Sequence, residues 1–136
     1  MPTFALSPRR RIAYWITTSI VALEVGVGGI MDLLRTEHVR AVVSHLGYPI
    51  YVLTILGVWK IPGAIVLLIP RFPRLREWAY AGIFFEMTGA AFSHALFRDP
   101  GYFTITLTFA LLSLVSWWLE RQNRSADRTS NAVAAT

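Results

Sequence analysis

Five ionisable side chains stand inside runs of apolar sequence: Glu24, Asp32, Lys60, Glu86 and His94. A charge at mid-bilayer costs roughly 2.5–3.5 kcal/mol on insertion scales, so such residues come with a partner or a use. Glu24 and Glu86 against Lys60 leave excess negative charge, which predicts that one carboxyl holds a proton. A carboxylic acid so poised can serve as general acid or base. An ammonium beside it can polarise a carbonyl or stabilise an anion. Glu24, Lys60 and Glu86 are therefore the candidate catalytic residues. Asp32 and His94 suggest an oriented imidazole near an entrance. With Trp59, which stands beside Lys60, they are the candidate substrate-binding residues. No metal site is expected, because His38 and His45 lie seven apart without a close third ligand. The competing reading is structural: buried charges can simply fix the register of packed helices.

The elements that must position these residues are apolar runs, each about long enough to cross a bilayer. They extend over residues 12–34, 49–69, 77–97 and 102–119. The chain has 136 residues and is 54% hydrophobic, too apolar for a soluble domain of this size. The second and third runs flank a short basic turn and are antiparallel neighbours. Lys60 lies about nine residues before that turn and Glu86 about nine after it, so both sit roughly 13 Å from the same membrane face. A Lys60–Glu86 contact is expected. The same arithmetic puts Glu24 near this pair, at roughly 18 Å, and Asp32 and His94 further out, at roughly 25–30 Å. Pro62 inside the second run removes a backbone donor beside Lys60 and is expected to kink that helix.

Around the spans the sequence predicts a basic leader (1–11), a four-helix transmembrane domain (12–119) and a disordered cytoplasmic tail (120–136). Glu24 interrupts what would be the apolar centre of a signal peptide, so the first run reads as a retained span. Between the first two runs, Val39, Val42, Val43 and Leu46 follow helical spacing and predict a short amphipathic helix lying on the membrane surface. Nine arginines fall in the leader, the central turn and the tail, against three in the two other loops, which places both termini in the cytoplasm. That distribution assigns the net charge of +5 to membrane topology and excludes nucleic acid as the partner. The chain has no cysteine, which excludes disulfide exchange, Fe–S clusters and thiolate zinc sites within it. The expected fold class is all-α: a polytopic membrane four-helix bundle, with the amphipathic helix between helices 1 and 2.

The central stretch carries a family resemblance. Leu46–Pro49, Leu56–Gly57, Lys60, Gly63–Ala64, the Pro70–Trp78 turn, Ala79–Gly82, Glu86–Ala90 and Ser93–His94 resemble the DoxX-like family (DoxX/DoxD superfamily) of small four-helix integral membrane proteins. The resemblance covers residues 25–118. It implies a multi-pass protein of the bacterial cytoplasmic (inner) membrane, associated with redox metabolism, since the family name comes from a subunit of a thiosulfate:quinone oxidoreductase. The leading functional reading is a DoxX-like protein that binds a small lipophilic molecule in the polar cavity, with quinone the cofactor the resemblance implies. Its partners would be the lipid bilayer and either further copies of the chain or a redox subunit. The alternatives are a cofactor-free membrane enzyme, using Glu24, Glu86 and Lys60 for isomerisation or ring opening, and a structural accessory subunit.

Overall fold

The structure is a computed structural model that describes residues 8–134. Residues 1–7 of the expected leader, and residues 135–136, lie outside the described part. Five helices follow one another: α1 (Pro8–Leu33), α2 (Glu37–His45), α3 (Tyr51–Leu68), α4 (Pro73–Leu96) and α5 (Pro100–Ala134). No strand occurs among the described residues. By length and composition α1, α3 and α5 can cross a membrane, as a multi-pass membrane protein requires. The third apolar run becomes α4, which is not among the helices so qualified. Its first turns carry Arg74, Arg76 and Glu77, and Glu86 sits further along.

The four long helices contact one another in a cycle. α1 packs chiefly on α3 and also on α5; α4 packs chiefly on α5 and less closely on α3. Val21, Val25, Ala64, Leu67, Tyr80, Ile83, Met87 and Ala110 form the core between them. Where these helices pass through lipid, such packing is held by van der Waals contact rather than by removal of apolar surface from water.

Small residues set how closely α1 and α3 approach. A Cβ on Gly57 would stand 2.8 Å from the Gly29 carbonyl oxygen and 2.6 Å from Leu33 Cγ. A Cβ on Gly29 would stand 2.7 Å from Lys60 Cβ. Glycine at both positions therefore permits near backbone contact, the usual device where helices meet in lipid. The same neighbours fix an antiparallel register: Gly26 beside Ala64, Gly29 beside Lys60, Leu33 beside Gly57.

Helix ends follow local chemistry. Pro73 opens α4, where its missing N–H is no loss. Gly47, at φ 75°, turns the chain out of α2, and the Tyr48 amide donates to the Val43 carbonyl at 3.0 Å. α3 runs continuously through Pro62.

Three features depart from the sequence reading. α1 begins at Pro8 rather than near residue 12, so Arg9, Arg10 and Arg11 are helical. α5 continues to Ala134, through the segment expected to be disordered. No glycine or proline interrupts the chain after Gly101, and the extension has partners. Glu120 is buried against Arg76, Arg124 reaches Glu77 at 3.3 Å, and Gln122 accepts from Arg10 at 3.3 Å. Finally, the apolar stripe of α2 has a use beyond a membrane surface: Val39, Val42, Val43 and Leu46 line a partly open cavity.

Candidate functional site

Lys60 is the centre of the site. Its Nζ lies 2.8 Å from Glu86 Oε1 on α4 and 2.9 Å from Asp32 Oδ2 on α1. One ammonium thus ties three helices. The Glu86 contact is the one that depth arithmetic predicts. The Asp32 contact is not, because the sequence reading pairs Asp32 with His94 in an outer layer. The register explains the difference. Leu33 is level with Gly57, so Asp32 stands about one turn towards the start of α3 from Lys60. Side chains lean towards the N-terminal end of their own helix, and Lys60 therefore leans towards Asp32.

Glu24 lies close to this group. A Cβ on Gly28 would stand 3.6 Å from Lys60 Nζ and 3.8 Å from Glu24 Oε1, so both functional groups lie close to this glycine. Glu24 Oε2 is buried without a hydrogen-bond partner. Three acids therefore surround one ammonium, and one carboxylate oxygen is left unsatisfied.

Lys60, Glu24, Asp32 and Glu86 form one end of a cavity of about 450 Å³. Its side walls are largely apolar: Val52, Leu53 and Leu56 of α3, Met87 and Ala90 of α4, and Ile105 of α5. α2 forms the roof with its apolar stripe. Polar ties hold that roof at its margins. Tyr48 Oη and Ser93 Oγ are 2.8 Å apart, and His45 Nε2 lies 3.0 Å from Asp99 Oδ2. His94 also lines the cavity, buried, with its ring stacked on Tyr102 at 4.9 Å between centroids and Nδ1 3.4 Å from Asp99 Oδ2. Its oriented imidazole therefore rests on Asp99, not on Asp32.

Trp59 does not line this cavity. It is 74% exposed, and it borders a second space of about 420 Å³ between α3 and α4. Of the six sequence-predicted residues, then, Glu24, Asp32, Lys60 and Glu86 come together, His94 lies in the same cavity further out, and Trp59 stands outside it.

A second buried ion pair escaped the sequence reading. Arg76 Nη1 lies 3.2 Å from Glu120 Oε1, both side chains being 4% exposed. Arg76 also donates to the Tyr14 hydroxyl and, at 2.8 Å, to the Leu67 carbonyl. Close by, the hydroxyls of Thr18, Tyr80 and Ser116 stand 2.6–3.1 Å apart. The sequence offered little signal, because Arg76 reads as one more basic residue of the turn and Glu120 as the first residue of a polar tail. The apolar core separates this layer from the Lys60 group.

With the geometry in view, comparison with known proteins adds the family. No curated protein and no solved structure matches the chain. A family model, that of the DoxX-like family, matches residues 16–116, which include Glu24, Asp32, Lys60, Glu86 and His94 and most of the long helices. The chain belongs to the DoxX-like family.

Proposed function

We propose that the protein is a four-span membrane protein that binds a small lipophilic molecule with a polar, carbonyl-bearing head, of which a quinone is one. The head would rest against Lys60, in the cavity beneath α2. One observation carries this reading: Lys60 Nζ, held at 2.8 and 2.9 Å by Glu86 and Asp32, forms the end of a cavity whose walls are otherwise mostly apolar. Pockets for small molecules have this character, with apolar walls and a few placed polar groups. A carbonyl oxygen can accept a hydrogen bond from the ammonium, and charge-assisted bonds of this kind are the strong ones. On this reading α4 is the fourth span, because it carries Glu86 and one cavity wall.

The test is binding of a decyl-bearing benzoquinone to the purified protein in detergent. The wild type should bind it. The double variant Lys60→Met/Glu86→Gln, which removes both partners of one ion pair, should lose at least ten-fold in affinity while remaining folded. Unchanged affinity in that variant would show that the head is held elsewhere.

One observation favours a second reading, acid–base catalysis on the bound molecule: the buried, unpartnered Oε2 of Glu24 beside Lys60. General acids and bases work where a proton can be moved at a group held within reach of substrate. Glu24→Gln should then preserve binding and abolish any conversion of the ligand. Mass spectrometry of the ligand recovered before and after incubation measures this. Identical conversion by wild type and Glu24→Gln would remove Glu24 from the chemistry.

A further inference from the structure

We infer that the cleft between α3 and α4 is a lateral subsite that takes the hydrocarbon tail of the ligand directly from the bilayer, with the Lys60–Glu86 pair as the partition between tail and head. This deepens the preceding reading and rests on it. The cleft is floored by Val25 of α1, which is fully buried, and walled by Pro62, Gly63 and Val66 on one side and Ala79 and Gly82 on the other. It shares three residues with the roofed cavity: Leu56, Lys60 and Glu86. The two spaces therefore meet at the ion pair.

Three features fit an alkyl chain. First, the cleft exists because α3 packs mainly on α1 and α4 mainly on α5, leaving this seam the loosest of the cycle. Second, nothing lies within 4 Å of a Cβ built on Gly63 or on Gly82, so both walls are recessed. Third, Trp59 and Trp78 stand exposed at its rims, 74% and 76%, as flat apolar sides for a chain entering from lipid. A helix from a second copy would fit the small residues equally well, but it would press hydrocarbon onto Lys60 and Glu86 at the cleft's inner end. An amphiphile satisfies both, because its polar head replaces the contact it disrupts. Unsatisfied polar groups in lipid carry a large cost, and that difference favours the amphiphile.

The experiment compares two probes: a benzoquinone carrying a decyl chain, and the same head without a chain. Gly82→Trp, one turn from Glu86 on α4, fills the cleft and leaves the Lys60–Glu86 pair itself unsubstituted. It should weaken binding of the decyl probe at least ten-fold and leave the tail-less probe within two-fold. Gly63→Leu, on the opposite wall, serves as the second variant if the first does not fold. Equal effects on both probes, or none, would overturn the lateral subsite while leaving the head site intact. Failure of both probes to bind wild type would overturn the head site and this inference with it. An independent measurement uses a photoreactive diazirine at the tail end of the decyl probe. Labelling of the segments bearing Leu75–Gly82 or Pro62–Val66 supports the subsite; labelling of α2 places the tail under the roof and refutes it. Cross-linked dimers through Gly82→Cys, undiminished by the decyl probe, would assign the cleft to a second copy instead.

Discussion

Lys60 holds Asp32 and Glu86 simultaneously, with side chains 11%, 6% and 22% exposed. At this burial the loss of the cation leaves two carboxylates without their counter-ion. Removing one member of such a group costs about 3 kcal/mol or more, whereas removing matched charges is nearly neutral. Lys60→Met should therefore lower the unfolding temperature in detergent markedly. Adding Glu86→Gln to it should recover part of the loss, and adding Asp32→Asn as well should recover most of the rest. Differential scanning fluorimetry of the series checks this; strictly additive losses would show that the three side chains do not communicate. Glu24 behaves differently. It makes no ion pair among the described residues, so Glu24→Gln should leave the unfolding temperature almost unchanged in the same assay.

At the scale of the helices, two seams differ in kind. Along α1 and α3 the backbones meet at Gly29 and Gly57, and a Cβ at Gly57 would strike backbone as well as Leu33. Overpacking of this sort typically costs about 1–3 kcal/mol. Gly57→Ala should destabilise by that amount and shift Lys60 away from Asp32, whereas Gly82→Ala on the open seam should be neutral. Thermal melts of the two variants side by side test the contrast, and equal losses would contradict the close approach. The junction of α4 and α5 depends on a different device, the buried Arg76–Glu120 pair. Arg76→Met alone should cost about 3 kcal/mol, because Glu120 would then lie buried beside one remaining, more exposed partner, Arg124. The double variant Arg76→Met/Glu120→Leu should restore most of the loss. If it does not, the pair is not what holds this end of α5 in place.

For the molecule as a whole, membrane topology tests whether α4 is the fourth span. Arginine asymmetry predicts that the turn before α4 is cytoplasmic and the turn after it outside. Single cysteines at Arg71 and at Arg98 should therefore be labelled from opposite sides of the membrane by an impermeant maleimide. Ser125→Cys should behave as the Arg71 variant does, and Ser44→Cys as the Arg98 variant. Labelling of Arg71→Cys and Arg98→Cys from the same side would show that α4 does not cross, and would remove the four-span arrangement that the proposed function assumes.

The sequence by itself determined the helices, the family and the principal ion pair. Long apolar runs bounded by Pro73, Gly47 and basic turns fix helical elements, because hydrocarbon leaves the backbone no other way to satisfy its hydrogen bonds. Antiparallel neighbours joined by a short turn fix relative depth, so Lys60 and Glu86 could be matched by counting residues. Counting cannot supply side-chain lean or the register of helices joined by longer segments. Those decided that Asp32, and not His94, shares Lys60, and that His94 turns to Asp99 and Tyr102. The α2 stripe was legible as apolar, but only packing showed that it covers a cavity. The helical continuation of α5 and the burial of Arg76 with Glu120 were also settled by packing. A polar residue at the end of a run reads as solvated until a partner from a distant part of the chain is placed against it, and only the tertiary structure brings that partner there.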